Sequence, residues 1–253
     1  MIKIGCAAYS YREYLEDGRM TYGAFIEEAY RIGLDGVELT LYWLPSKDPS
    51  YLRKLKRLSS FRGLPISGAG ISTNFCNPDV SERNRAVESA KEGLNLAREL
   101  GAPCLRAFAG YVPTGHTEIE ATNWTIESLK SCMSSAEENG VVIALENHGG
   151  ITARADNVLK IIKGVDSPWF GLNLDLGNYR ESSYDEIAKT VPYAVHTHAK
   201  VSVAEGIKLD YERIKKILKT GGYNGFLSIE YEEKEDAKVG VPEFAKHLLN
   251  VFR

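Results

Sequence analysis

The chain has no stretch rich in proline, glycine and serine, and no shift of composition divides its 253 residues. One domain with a large core is therefore expected over residues 1–253. Strong charge of either sign is missing too: 31 lysines and arginines face 34 aspartates and glutamates, a net charge of −3. That balance lacks the basic footprint of a nucleic-acid binder and points to small polar partners. The cysteines Cys6, Cys76, Cys104 and Cys132 lie far apart, with no Cys-x-x-Cys pair. They read as small buried apolar residues rather than a disulfide frame, which suits the cytoplasm. No apolar run is long enough for a secretory signal or a membrane span, and the chain enters a strand pattern at Ile2-Lys3-Ile4-Gly5-Cys6. A soluble, unprocessed cytoplasmic protein is expected.

Short β-rich runs alternate with amphipathic stretches. The runs begin near Ile2, Gly36, Pro65, Pro103, Val141, Phe170, Ala194 and Gly225, separated mostly by roughly ten to twenty residues of helical spacing. Between the third and fourth, Ala86, Ala90, Leu94, Ala97 and Leu100 recur at helical spacing, with Gly101 as a stop and Pro103 just beyond. Such alternation gives either a closed eight-stranded barrel or an open doubly wound sheet. The open sheet would place its ligand beside a Gly-rich turn, and none follows the first run. A (β/α)8 barrel is the expected fold.

Four strings in the second half carry the chemistry: ALEN with Glu146, LNLD with Asp175, VHTH with His198 and LSIE with Glu230. Polar residues at the carboxyl ends of successive parallel strands converge on one face of a barrel. Three carboxylates and an imidazole at one point repel and desolvate one another unless a divalent cation neutralises them. Glu146 precedes Asn147, His148 and Gly149-Gly150, a polar, backbone-permissive turn that lets a ligand approach; the plain alternative is a capping or salt-bridged glutamate. Asp175 could merely cap the turn before Gly177-Asn178, yet burying it unpaired would be costly. In His196-Thr197-His198 both imidazoles point to one side of the strand. His198, at the strand end, is the better ligand, and His196 the better hydrogen-bonded interior residue. Three oxygens and one nitrogen suit manganese first, with magnesium, cobalt or zinc able to substitute.

Glutamates on opposite sides of a metal can take a proton from one face of a carbon and return one to the other. The metal would hold a carbonyl and a neighbouring hydroxyl and stabilise the enediolate. Epimerisation, aldose–ketose isomerisation and dehydration all pass through that species, and the four residues leave the three open.

From Ile4-Gly5 through Gly36-Val37-Glu38-Leu39 to Ser228-Ile229-Glu230-Tyr231-Glu232, with the four strings in order, the chain resembles the xylose-isomerase-like barrel superfamily. Its sugar phosphate isomerase/epimerase branch is the nearest likeness. The resemblance implies a metal on Glu146, Asp175, His198 and Glu230, the two glutamates as acid/base pair, and a carbohydrate substrate. Relatives that epimerise free ketohexoses place a histidine three residues after the aspartate, an arginine six after the ligand histidine and a glutamate six after the first metal glutamate. Here those positions hold Asn178, Ala204 and Thr152, so a keto-sugar derivative or cyclic polyol ketone is expected instead.

His148 and Lys200 are expected to flank the metal, each able to bind a substrate hydroxyl, carboxylate or phosphate or to protonate a leaving oxygen. For Lys200 the alternative is a solvated rim lysine. Asn178 is grouped with them as substrate-facing. Glu38 and Arg106, ending the second and fourth strands, are expected to pair in the barrel mouth and orient neighbours, the alternative being that Arg106 grips an anionic substrate. Asn74 is expected to bond a substrate hydroxyl or form a turn beside Asn77-Pro78. The loops Tyr9 to Met20, Leu41 to Pro49 and Ala109 to Thr117 carry Tyr9, Tyr11, Tyr14, Tyr42, Trp43, Phe108, Tyr111 and His116. These rings either stack on a sugar and close over it or pack the loops on the rim.

Three rivals remain. One is a lyase of the same fold, an inosose dehydratase or an enzyme cleaving glycosides after oxidation at carbon 3. Another is an apurinic endonuclease-like nuclease, whose three zinc ions need extra histidines and aspartates where this chain has Asn178, Asn74 and Phe108. The last is an inactive ligand-binding barrel, against which the intact quartet argues.

Overall fold

The computed structural model describes residues 1–179, 183–203 and 206–253, so Ala204 lies outside the described residues. Eight strands, β1 (Lys3–Ala7), β2 (Gly36–Thr40), β3 (Ile66–Gly70), β4 (Cys104–Ala107), β5 (Val142–Glu146), β6 (Phe170–Asp175), β7 (Ala194–Ala199) and β8 (Phe226–Ile229), close into one barrel. Every neighbouring pair is parallel, including β8 on β1. Each strand begins within one residue of its expected start.

The helices are α1 (Arg12–Glu16), α2 (Tyr22–Ile32), α3 (Pro49–Phe61), α4 (Val80–Leu100), α5 (Glu118–Lys130), α6 (Met133–Asn139), α7 (Ala155–Val165), α8 (Ser183–Thr190), α9 (Tyr211–Thr220) and α10 (Ala237–Phe252). In α4, Ala90, Leu94, Ala97 and Leu100 are the buried stripe, and Gly101 ends the helix at φ 78°. Side-chain caps start most of the longer helices: Thr21, Asp48, Asp79, Asp210 and Asp236 each accept a backbone N–H of the first turn, and Thr117 closes a reciprocal box with Glu120. Each cap contributes about 1 kcal/mol. Each also fixes where a βα loop stops, and those loops rim the site. All four cysteines are free and buried. Among the described residues, no helix is long and apolar enough to cross a membrane.

Burial on both sides explains the near-continuous apolar strands, such as Ile143-Ala144-Leu145 in β5. The barrel interior is polar, however, with Glu38, Ser67, Arg106, Asn173, His196 and Ser228 all buried. Glycine makes room for these long side chains. A Cβ on Gly70 would stand 2.9 Å from an Arg106 guanidinium nitrogen, so a larger residue in β3 would displace the arginine.

Candidate active site

The carboxyl ends of β5 to β8 bring Glu146, Asp175, His198 and Glu230 to one point. One donor atom from each lies within 4.8 Å of all the others, and all four residues are buried. His198 turns Nδ1 inward, 3.4 Å from Glu230 Oε1, 3.8 Å from Glu146 Oε2 and 3.9 Å from Asp175 Oδ2. Asp175 accepts the Gly177 N–H through Oδ1 at 2.8 Å, but its buried Oδ2 has no hydrogen-bond partner. The Lys200 ammonium approaches that oxygen only to 3.5 Å. An orphaned carboxylate oxygen facing two glutamates and an imidazole nitrogen fits a divalent cation, which takes just such a mixed oxygen and nitrogen set.

The electrostatics agree. Burial pushes the Asp175 carboxyl well above its usual range and Glu146 up to about 7, the Glu230 charge adding to both. Burial works on Glu230 too, but His198 and Lys200 outweigh it and hold that carboxyl well below its usual range. For His198, burial opposes protonation, while Glu38 and Glu230 prevail and raise it well above the ordinary imidazole range. Added positive charge is needed before all three carboxylates ionise together.

The expected Glu38–Arg106 pair is not formed. Arg106 Nε lies 3.1 Å from Glu146 Oε2, Nη1 donates to the Ile71 carbonyl at 2.8 Å, and the guanidinium covers the Phe108 ring. The strand β5 beside β4 offers the nearer carboxylate. Glu38 instead crosses the interior from β2, its Oε2 2.9 Å from His198 Nε2. Burial would raise Glu38, but His198 and His196 hold it at about 2. His196 is an interior residue as expected. Its Nδ1 meets Asn173 Oδ1 at 2.9 Å, its Nε2 lies 3.3 Å from the Ser67 and Ser228 hydroxyls, and burial lowers it to about 4.

Beside the quartet opens a cavity of about 910 Å³, lined among others by Tyr111, His148, Arg154, Asn178, Lys200 and Glu232. Two of these touch the quartet. Asn178 Nδ2 donates to Glu146 Oε1 at 3.3 Å, and Lys200 Nζ lies 3.2 Å from Glu230 Oε2 while donating to Glu232. Lys200 is thus buried among carboxylates, not a solvated rim residue. His148 is exposed, its ring packed on Phe108 with centroids 4.3 Å apart. Asn74 is not in the cavity lining. Its Oδ1 accepts the Cys76 N–H at 3.0 Å, the turn-forming alternative, because a short amide reaches its own backbone before it can reach the site.

The loop aromatics divide. Tyr111 lines the cavity, Tyr11 and Tyr14 are buried, Tyr9 stacks on Trp43 at 5.6 Å with Tyr42 edge-on, and His116 packs on Trp124. Most of them brace the rim.

Sequence reasoning missed Asn173 and the bracing role of Asn147. Asn173 Nδ2 lies 3.4 Å from Glu146 Oε2 and 3.3 Å from His198 Nδ1. Asn147 bonds the Asp175 backbone twice, accepting its N–H and donating to its carbonyl, both at 2.8 Å. Strand parity was the available signal: Asn173 stands two residues before Asp175 and so faces the same side. Glu232, which accepts from Lys200, lies past the last strand, where no periodicity marks it.

Among solved structures, D-psicose 3-epimerase from Clostridium cellulolyticum H10, crystallised with D-tagatose, superposes with a TM-score of 0.79 at 21% identity, covering 100% of this chain and 90% of that one. The 3-keto-D-glucoside 4-epimerase of E. coli gives 0.80 at 14% identity, over 99% and 100% of the two chains. A probable 3-DHS dehydratase from Bacillus anthracis gives 0.75 at 18%, over 99% and 98%. At these identities the likeness is one of fold. Among curated proteins, no sequence matches the chain. The family model described as xylose isomerase-like TIM barrel matches residues 26–251, and the chain belongs to that family.

Proposed function

We propose that the protein is a single-domain, cytoplasmic, divalent-metal-dependent sugar isomerase or epimerase that moves a proton next to a carbonyl of a keto-sugar derivative or cyclic polyol ketone. The observation that carries this reading is the buried quartet of Glu146, Asp175, His198 and Glu230 beside a cavity large enough for a sugar. These four residues would hold the ion, manganese in preference to magnesium, cobalt or zinc. Such an ion supplies Lewis acidity, acidifying the carbon beside a carbonyl and offsetting charge on its oxygen.

The remaining work falls to the chain. Glu146 and Glu230 exchange a proton with the substrate carbon from opposite sides. Arg106 and Asn178 fix the Glu146 carboxyl, and Lys200 fixes Glu230. Lys200 and His148, on the cavity wall, hold substrate oxygens, while Tyr111 offers an exposed ring for a sugar face. The fold neighbours named as 3-epimerase and 4-epimerase support this chemistry, and the mild negative charge favours a small carbohydrate over nucleic acid.

A dehydratase is the second reading. The Lys200 ammonium, 3.2 Å from Glu230, is placed to protonate a departing hydroxyl once the neighbouring proton is removed, and one fold neighbour is named a probable dehydratase.

Substituting the cavity residues tests the assignment. His148→Ala and Lys200→Ala are each expected to raise KM or lower turnover on keto-glycosides or inososes. Metal content should stay unchanged in His148→Ala, whereas Lys200→Ala removes a cation 3.5 Å from Asp175 and 3.2 Å from Glu230 and should shift metal affinity as well. Fructose, psicose and tagatose should be poor substrates. Wild-type turnover of a free ketohexose at roughly ten per second, a typical enzymatic rate, with both alanine variants unaffected, would overturn the substrate assignment.

A further inference from the structure

We infer that Glu38 is a positioning residue for the metal centre, holding the His198 ring with Nε2–H toward β2 so that Nδ1 is the nitrogen left for a cation among the three carboxylates. The inference rests on reading the quartet as a metal site. His198 is fully buried, and the one hydrogen-bond partner of its Nε2 among the described residues is Glu38 Oε2 at 2.9 Å. The opposite nitrogen, Nδ1, is the atom aimed at Glu146, Asp175 and Glu230. One imidazole cannot offer Nδ1 to a cation while its proton sits there, so the group that keeps the proton on Nε2 decides whether the ligand is competent.

A second contact sets the same polarity. His196 Nδ1 meets Asn173 Oδ1 at 2.9 Å, which turns the Asn173 amide nitrogen toward Glu146 Oε2 and His198 Nδ1. The reverse amide orientation would set its oxygen against a carboxylate. As a donor, that nitrogen favours an unprotonated Nδ1 on His198, so the proton retained when a cation binds is the one on Nε2.

Glu38 has little else to do. Arg106, its expected partner, is engaged with Glu146 and the Ile71 carbonyl, and His196 Nδ1 stands 3.8 Å away and is already bonded to Asn173. A carboxylate buried across a barrel is a costly space-filler, whereas a neutral acceptor would satisfy an N–H at less cost. The negative charge is what a metal-ligating histidine gains from such a partner, since it raises the basicity of the ligating nitrogen.

The test uses metal alone, with no sugar. Mn2+ is titrated into wild-type, Glu38→Gln and Glu38→Ala proteins after their metal-free melting temperatures are recorded. The alanine variant should bind about 10–100-fold more weakly. The glutamine variant should lose less, because its amide oxygen still accepts from Nε2–H. Undiminished affinity in a folded alanine variant overturns the inference while leaving the metal site standing.

A wild-type experiment covers the case in which the variants fail to fold. Protein labelled with 15N-histidine and loaded with 113Cd2+ should show cadmium coupled to Nδ1 of His198, with Nε2 still protonated. Coupling to Nε2 refutes the inference, as does a second cadmium bound by Glu38, His196 and His198. If wild-type protein binds neither ion, the inference and the metal reading fall together.

Discussion

Glu146→Gln and Glu230→Gln, each saturated with metal, should lose proton exchange by about 10²–10⁴-fold, the contribution of a positioned acid or base. Glutamine keeps the shape of the side chain and one oxygen toward the cluster but cannot take up and return a proton at neutral pH. The two variants should differ in stability. Glu146 faces the buried Arg106 at 3.1 Å, and losing its charge strips the guanidinium of that ion pair and leaves it its hydrogen bond to the Ile71 carbonyl. Lys200, by contrast, keeps Asp175 and Glu232 when Glu230 is neutralised. Breaking a buried pair from one side is strongly destabilising, so Glu146→Gln should melt lower than Glu230→Gln. Near-normal exchange in either glutamine variant, once metal-saturated, would end the two-glutamate mechanism.

Metal removal has the other large effect. An ion at one hundred times its dissociation constant stabilises the folded state by about 2.7 kcal/mol. For a chain of this size that corresponds to roughly 5–10 °C in Tm. Exhaustive chelation should lower Tm by this order and abolish activity, and manganese should restore both. Uptake should also depend on pH. A cation must displace the protons held on His198, Asp175 and Glu146, the last of which is raised to about 7. Protons therefore compete, and apparent affinity should fall as the pH drops through that value and rise above it. Full activity in protein shown metal-free by elemental analysis would contradict the account.

The barrel was legible because its signal is periodic: apolar runs with helical spacing between them reappear as eight strands starting within one residue of expectation. Two of the small offsets have a cause in proline. Pro65 and Pro103 carry no N–H for the ladder, so β3 and β4 begin one residue later. The convergence of Glu146, Asp175, His198 and Glu230 was legible for a related reason, since all four end neighbouring strands of one barrel face.

Contacts across the interior were not. Strand parity says that Glu38, Arg106, Asn173 and His198 point inward, but not which pairs meet. That depends on side-chain reach and on strand order around the ring. Arg106 is long enough to bend toward β5, and Glu38 then finds His198 on the far side. Asn74 was ambiguous because an amide that can reach a substrate can also reach its own backbone, and here it bonds the Cys76 N–H.

The most direct check is to load the wild-type protein with manganese, incubate it in heavy water with keto-sugars, keto-glycosides and inososes, remove the ion, and follow deuterium by NMR. Deuterium should enter at one carbon next to a carbonyl, in at least one of these substrates, and uptake should vanish on chelation and in both glutamine variants. Folded, metal-saturated protein that exchanges no such proton, or that exchanges it equally well after chelation, would contradict the account.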